Sequence, residues 1–216
     1  GEWDHAFEDL AVVEKLGQPL TAALARGGYF SQLKKNDKAI AELNKVLGVQ
    51  PDNYRALVKR ADTFLEMGML EKALTDFLHI LTIKPDSASG FYRQAAKLLV
   101  DAKRVDEALS LLDRRMAVVG AIPQLQELAI TISRSERRYD DAVRRMKSLH
   151  HLTKATPYWM TDMSEILLKW GKKEAALEYA SAADELLKQY KPTLSARQLA
   201  QRIESVKTEA KQNAEK

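Results

Sequence analysis

The chain has 216 residues, 45% of them hydrophobic and 30% charged, with a formal net charge of +4 and no cysteine. That length holds one large domain or two small ones, and the lack of cysteine excludes a disulfide framework, a thiol nucleophile and a thiolate metal site. The mild positive charge does not by itself point to nucleic acid, and no apolar run approaches the roughly 18 residues that span a bilayer.

In chain order, residues 3 to 16 place Ala6, Phe7, Leu10 and Val13 three or four apart, the spacing of an amphipathic helix. They read as the second helix of a partial unit over 1–18. Residues 20–53 form the first full unit; its turn, Lys34-Lys35-Asn36-Asp37, has no glycine, and the Gly27-Gly28 pair lowers helix propensity by about 1 kcal/mol per glycine. Residues 54–87 are the clearest copy. Tyr54 to about Met67 aligns Leu57, Ala61, Phe64 and Leu65, and about Glu71 to Ile83 aligns Ala73, Leu74, Phe77, Ile80 and Leu81. Gly68 marks the corner between them, and Pro85 closes the unit.

The third unit, 88–121, carries Ala96, Leu99, Val105, Ala108 and Leu112, with Gly120 at its close. In the fourth, 123–156, Ile130 and Ser133 stand where a small residue and an aromatic are usual, so its first helix is registered either as aligned or one position rotated. The fifth, 157–190, restores the pattern with Leu167, Trp170-Gly171 and Ala176. After Pro192 a capping helix sets Ala196, Leu199, Ala200, Ile203 and Val206 on one stripe and Arg197, Gln201, Arg202 and Glu204 on the other. From Lys207 the chain is polar, and fraying is expected. A start at Gly1, inside a unit, is accounted for by a trimmed cytoplasmic chain or by removal of a signal peptide; the latter, and with it an extracytoplasmic location, is the expectation carried here.

One small residue marks each second helix. Ala39, Ala73, Ala108, Ala142 and Ala176 lie 34, 35, 34 and 34 residues apart. Two helices cross closely only where a side chain is nearly absent. A single hairpin cannot bury both of its apolar faces, so each needs its neighbours.

With Ala61, Phe64, Gly68, Ala73, Phe77 and Pro85 in these places, residues 54–87 resemble the tetratricopeptide repeat. The resemblance implies an all-α fold over 1–216 as one domain: a right-handed superhelical solenoid of antiparallel helix pairs with a C-terminal capping helix at 192–216. It also implies that first helices line a concave groove, facing it through the second, fifth, sixth, ninth, twelfth and thirteenth places of each unit. Those places share a helical face that hairpin packing leaves free. They give Arg55, Val58, Lys59, Asp62 and Leu65 in the second unit, Arg93, Lys97 and Val100 in the third, and Tyr158, Thr161, Asp162 and Glu165 in the fifth. Four cations over an apolar floor suit an acidic peptide. The plainer alternative pairs Lys59 with Asp62 and Lys97 with Asp101 inside their own helices, each pair worth about 0.2–0.5 kcal/mol. The lysine and asparagine clamp that some members use for chaperone tails is missing, since Leu24, Gly28, Val58 and Asp62 stand at its places.

No acyl-transfer, phosphate-loop or dinucleotide motif occurs, and His5, His79, His150 and His151 show no metal-ligand spacing, so no enzyme, metal or cofactor is expected. Adjacent residues on a helix point about 100° apart, which makes His150-His151 a packed and an exposed imidazole rather than a chelating pair. The expected function is a non-catalytic protein–protein interaction scaffold that binds a peptide segment or partner subunit. Two alternatives stand beside it. One is helical-repeat RNA binding of the pentatricopeptide kind; modest charge and few groove aromatics disfavour nucleic acid. The other is a homo-oligomer formed through the incomplete N-terminal unit, whose Phe7, Leu10 and Val13 face lacks a partner helix.

Overall fold

The computed structural model describes residues 2–150 and 156–212, the side chains of residues 2 and 150 excepted. Twelve helices and no strand occur among the described residues. They fall into two compact bodies, Gly1–Arg115 and Met116–Lys216.

The N-terminal body contains α1 (Glu2–Lys15), α2 (Pro19–Gln32), α3 (Asn36–Val49), α4 (Tyr54–Glu66), α5 (Leu70–Ile83), α6 (Ser89–Asp101) and most of α7 (Val105–Val119). Consecutive helices pack as hairpins, α2 on α3 and α4 on α5, and each hairpin leans on the next through α3 with α4 and α5 with α6. The marker residues Ala39, Ala73 and Ala108 are fully buried at these crossings, among Leu43, Leu57, Leu74, Ile80, Leu99 and Leu112. Gly27 is a crossing residue too. A Cβ there would lie 2.8 Å from Cγ and Cδ2 of Leu43, so the missing side chain is what lets α3 approach α2. Aromatic contacts join successive hairpins, with Phe91 of α6 against Tyr54 (6.0 Å) and Phe77 (6.1 Å).

A charged rung repeats at the same interval. Arg26 Nε donates to Glu42 (3.0 Å), and 34 residues on Arg60 grips Asp76 with two bonds, Nε to Oδ2 (2.8 Å) and Nη2 to Oδ1 (2.6 Å). Each ties a first helix to its own second helix. The Asp76 side chain is only 3% exposed, so its carboxylate depends on this partner.

The corners follow one design. At Gly68 the chain turns left-handed (φ +70°), with Gly68 N–H donating to Leu65 O and Met69 N–H to Phe64 O, which satisfies the last carbonyls of α4. Lys34 (φ 57°), Lys103 (φ 61°) and Arg137 (φ 56°) take the same conformation and the same two bonds without being glycine. The glycine-free corner at Lys34 is therefore built like the others. An L-residue in this region costs roughly 1–2 kcal/mol. Lys103→Gly is accordingly expected to raise stability by roughly 0.5–1 kcal/mol after the glycine's greater chain entropy is subtracted, read as a higher urea midpoint.

Phe7, Leu10 and Val13, expected to form an unpartnered face, pack instead on α2: Leu10 is buried, Phe7 and Val13 half-buried, and the Phe7 ring lies 4.9 Å from that of Phe30. The face of α1 that stays open carries Val12, and Leu16 is exposed in the turn that follows the helix.

The C-terminal body holds α8 (Pro123–Ser135), α9 (Tyr139–His150), α10 (Pro157–Lys169), α11 (Lys173–Leu187) and α12 (Leu194–Gln212). Prolines open α8 and α10, where a missing N–H is harmless. Gln126, Ile130, Ile132 and Ser133 are buried, so α8 sits in the aligned register and not the rotated one. Ser133 replaces an aromatic, and polar bonds replace its packing. Its Oγ donates to Asp141 Oδ2 (2.6 Å), which also accepts from Arg145 Nε (2.7 Å), while Arg144 pairs with the other oxygen.

Burial alone would raise the Asp141 pKa; the bonds from Ser133, Arg145 and Arg144 outweigh it and hold the carboxyl below its ordinary value. A depressed carboxyl contributes stability above its unfolded pKa of about 4 and loses it as pH falls through the folded value. Acidification from pH 6 to pH 3 should therefore lower the urea midpoint, and Asp141→Asn should flatten that dependence.

The capping helix departs from expectation in three ways. Leu199, Ile203 and Val206 are buried as expected, but Ala200 is exposed and Ala210 is buried in its stead. Lys207 donates to Asp184 (2.6 Å), and the helix continues to Gln212 rather than fraying from Lys207. Arg202 is not on a purely solvated face, as shown below.

Candidate functional site

A turn of α-helix brings every third or fourth residue to one side, and on α4 that side holds Arg55, Val58, Lys59, Asp62 and Leu65. Asn53 fixes the start of this helix by accepting from Ala56 N–H (3.0 Å). Arg55, Lys59 and Asp62 are exposed, whereas Val58 and Leu65 are half-buried against the core beneath. On α6, Arg93 and Lys97 are exposed and Val100 is half-buried. The first eight of the expected groove residues thus lie on two helices of one body, joined at their starts by the Tyr54–Phe91 contact.

Neither intrahelical pair forms a salt bridge: among the described residues none links Lys59 to Asp62 or Lys97 to Asp101, and none involves Arg55 or Arg93. Lys59 reaches across to α2, where its Nζ lies over Gly28. Asp62 is pushed above its ordinary pKa, first by desolvation and then by the charge of Glu66, with Lys59 opposing. The seam between α2 and α4 continues with Ser31 Oγ and Thr63 Oγ1 in hydrogen-bond contact (3.3 Å) and Lys34 Nζ donating to Glu66 Oε1 (2.9 Å).

Tyr158, Asp162 and Glu165 belong to α10 of the C-terminal body. Tyr158 is exposed, but both carboxylates are engaged: Arg202 of α12 donates through Nε to Glu165 Oε1 (2.8 Å) and through Nη2 to Asp162 Oδ1 (2.6 Å). Arg134 of α8 lies 3.6 Å from the second oxygen of Glu165. These bonds hold the Arg202 pKa above its ordinary value, with the Glu165 bond first and burial opposing. Thr161, expected on the groove, is buried and donates to Pro157 O (2.7 Å). The pairing of Arg202 with Asp162 and Glu165 was not legible in the sequence. Partners 37 and 40 residues apart on different helices leave no periodic trace.

No group of three or more His, Cys, Asp or Glu suited to a metal ion occurs among the described residues, and the pair His150-His151 lies outside the described side chains. No described helix is long and apolar enough to cross a membrane. Chemically, the α4 and α6 face offers guanidinium and ammonium donors for charge-assisted bonds to carboxylates, over an apolar strip.

The family model of the tetratricopeptide repeat matches residues 21–53 and 54–87. No curated protein matches the chain. Among solved structures, MamA superposes with a TM-score of 0.61 at 17% identity, covering 82% of this chain and 98% of that one. YrrB, described as a TPR protein with an unusual peptide-binding site, gives 0.60 at 15% identity over 91% and 98%. The 41-end portion of MamA from Desulfovibrio magneticus RS-1 gives 0.55 at 13% identity over 79% and 96%. At such identities the likeness concerns the fold.

Proposed function

Proceeding from a protein built of tetratricopeptide repeats, a fold of protein–protein interaction scaffolds, we propose that this chain is non-catalytic and holds an acidic segment of a partner protein along α4 and α6. One contrast carries the reading. Lys34, Arg134 and Arg202 each have an anionic partner within the protein, whereas Arg55, Lys59, Arg93 and Lys97 make no salt bridge among the described residues. Exposed cations beside the half-buried Val58, Leu65 and Val100 are suited to a ligand that brings both carboxylates and apolar side chains. Asp62 opposes a carboxylate next to it and so sets the register of the ligand. YrrB, whose description includes a peptide-binding site, is consistent with this use of the fold.

The test compares affinity capture from lysate by the chain and by its Arg55→Glu, Lys59→Glu, Arg93→Glu, Lys97→Glu variant, with unchanged far-UV circular dichroism as the control for folding. A protein retained by the first and lost by the second supports the reading and identifies the partner. Equal retention by both sinks it.

A further inference from the structure

Where the first helices of the C-terminal body turn into their second helices, cations gather. The stretches 134–138 and 169–174 hold Arg134, Arg137, Arg138, Lys169, Lys172 and Lys173 against Glu136 and Glu174, with Asp140 close by on α9. Asp141 is held by Arg144 and Arg145. Arg134 lies 3.6 Å from Glu165, and Arg138 and Lys173, both half-buried, are engaged within the protein. That leaves Arg137, Lys169 and Lys172, all exposed and without a salt bridge among the described residues. The Arg134–Glu165 pair ties the end of α8 to α10, and Arg137 lies three residues beyond the one as Lys169 lies four beyond the other, so the two corners are neighbours. At the α10–α11 corner a glycine takes the left-handed place (Gly171, φ 81°); at the α8–α9 corner Arg137 takes it (φ 56°), at a cost that glycine would avoid. The carbonyl ends of α8 and α10 attract Arg137 and Lys169 and return part of that cost. Lys172 has no such excuse, since it caps the start of α11, the end of a helix that repels a cation. Trp170 is 39% exposed between the two lysines, with Nζ of Lys172 5.4 Å from its ring centroid.

We propose that these two corners form a docking edge for an anionic membrane surface: Arg137, Lys169 and Lys172 meet the charged lipid headgroups, and Trp170 lies in the headgroup layer beside them. Like charges held close together repel until an anion comes between them, so the cluster gains most from a surface dense in negative charge. An indole fits the same surface, with its apolar body toward the acyl chains and its N–H toward water. The methylenes of Lys172 stay with the ring while its ammonium reaches the headgroups. A nucleic acid would use Trp170 differently, through a base laid flat on the ring, where Lys172 already lies. None of these residues belongs to the α4 and α6 face, so the edge stands or falls apart from the peptide reading.

The probes are vesicles of phosphatidylcholine alone and vesicles containing about one-third phosphatidylserine, at physiological salt. The intact chain is expected to sediment with the second and not with the first, and to be released by high salt. Lys169→Gln and Lys172→Gln should each weaken binding about fivefold, the worth of one cation at such a surface. Arg137→Gly should weaken it by a similar factor while raising the urea midpoint, because glycine suits the turn. A loss of binding together with a gain of stability separates docking from folding. The anionic vesicles should also shift the tryptophan emission to the blue, and Trp170→Phe should abolish that shift. Failure to bind the anionic vesicles, equal binding to both kinds, or binding unchanged in the triple variant Arg137→Gly, Lys169→Gln, Lys172→Gln overturns the proposal. So does capture of single-stranded RNA in place of vesicles.

Discussion

Arg60→Met is expected to destabilise the N-terminal body by about 3–5 kcal/mol, because it leaves the Asp76 carboxylate buried with its bidentate partner gone. The methionine fills much of the volume of the arginine stem, so the loss is electrostatic rather than steric. Asp76→Leu in the Arg60→Met background should recover most of the stability, since removing both members also removes the uncompensated charge. The contrast is Lys34→Met. Its ion pair with Glu66 is nearly as short, at 2.9 Å, but the lysine side chain is 71% exposed, and its loss should cost less than about 1 kcal/mol. Urea unfolding of these three variants beside the original chain measures all of this. A small effect of Arg60→Met would mean that water reaches Asp76.

Leu43→Ala is expected to cost about 2–5 kcal/mol, since Leu43 is fully buried between α2 and its own helix and its loss opens a cavity. The close approach to Gly27 makes a second outcome specific. In the original chain Gly27→Ala sets a methyl group 2.8 Å from the leucine Cγ and should overpack the crossing by about 1–3 kcal/mol. With Leu43 already truncated, the same change fills part of the cavity and gains about 1 kcal/mol of helix propensity. The sign of Gly27→Ala should therefore reverse between the two backgrounds. Additive effects would mean that α2 and α3 do not meet there.

These two sites show what the sequence could and could not disclose. The alanines at 39, 73, 108, 142 and 176 were legible because close packing demands a small residue wherever two helices cross, and all five are fully buried. Corners were legible at Gly68 and Gly171, where glycine announces a left-handed turn. Lys34, Lys103 and Arg137 adopt that turn at an energetic cost that hydrogen bonds offset, and only the repeat spacing marks them. That Arg55, Lys59, Arg93 and Lys97 would be exposed on α4 and α6 followed from the resemblance and the helical period together. The state of the corresponding α10 face did not, because what occupies Asp162 and Glu165 is Arg202, which period alone assigned to solvent. In the cap, exchanging Ala200 for Ala210 as a buried residue reflects how little burial an alanine reveals by its own hydrophobicity. Ser133 looked like a worn position, yet its partner Asp141 supplies by hydrogen bonding what an aromatic supplies by contact.

The proposed ligand face lies on α4 and α6 of the N-terminal body. Titration of the isotope-labelled chain with an acetylated, amidated peptide carrying glutamate at every fourth position, followed through backbone amide shifts by nuclear magnetic resonance, decides whether an acidic segment binds there. The largest shifts are expected along Arg55–Asp62 and Arg93–Lys97. Shifts concentrated instead on the second helices α3 and α5, or on α11, would rule that face out.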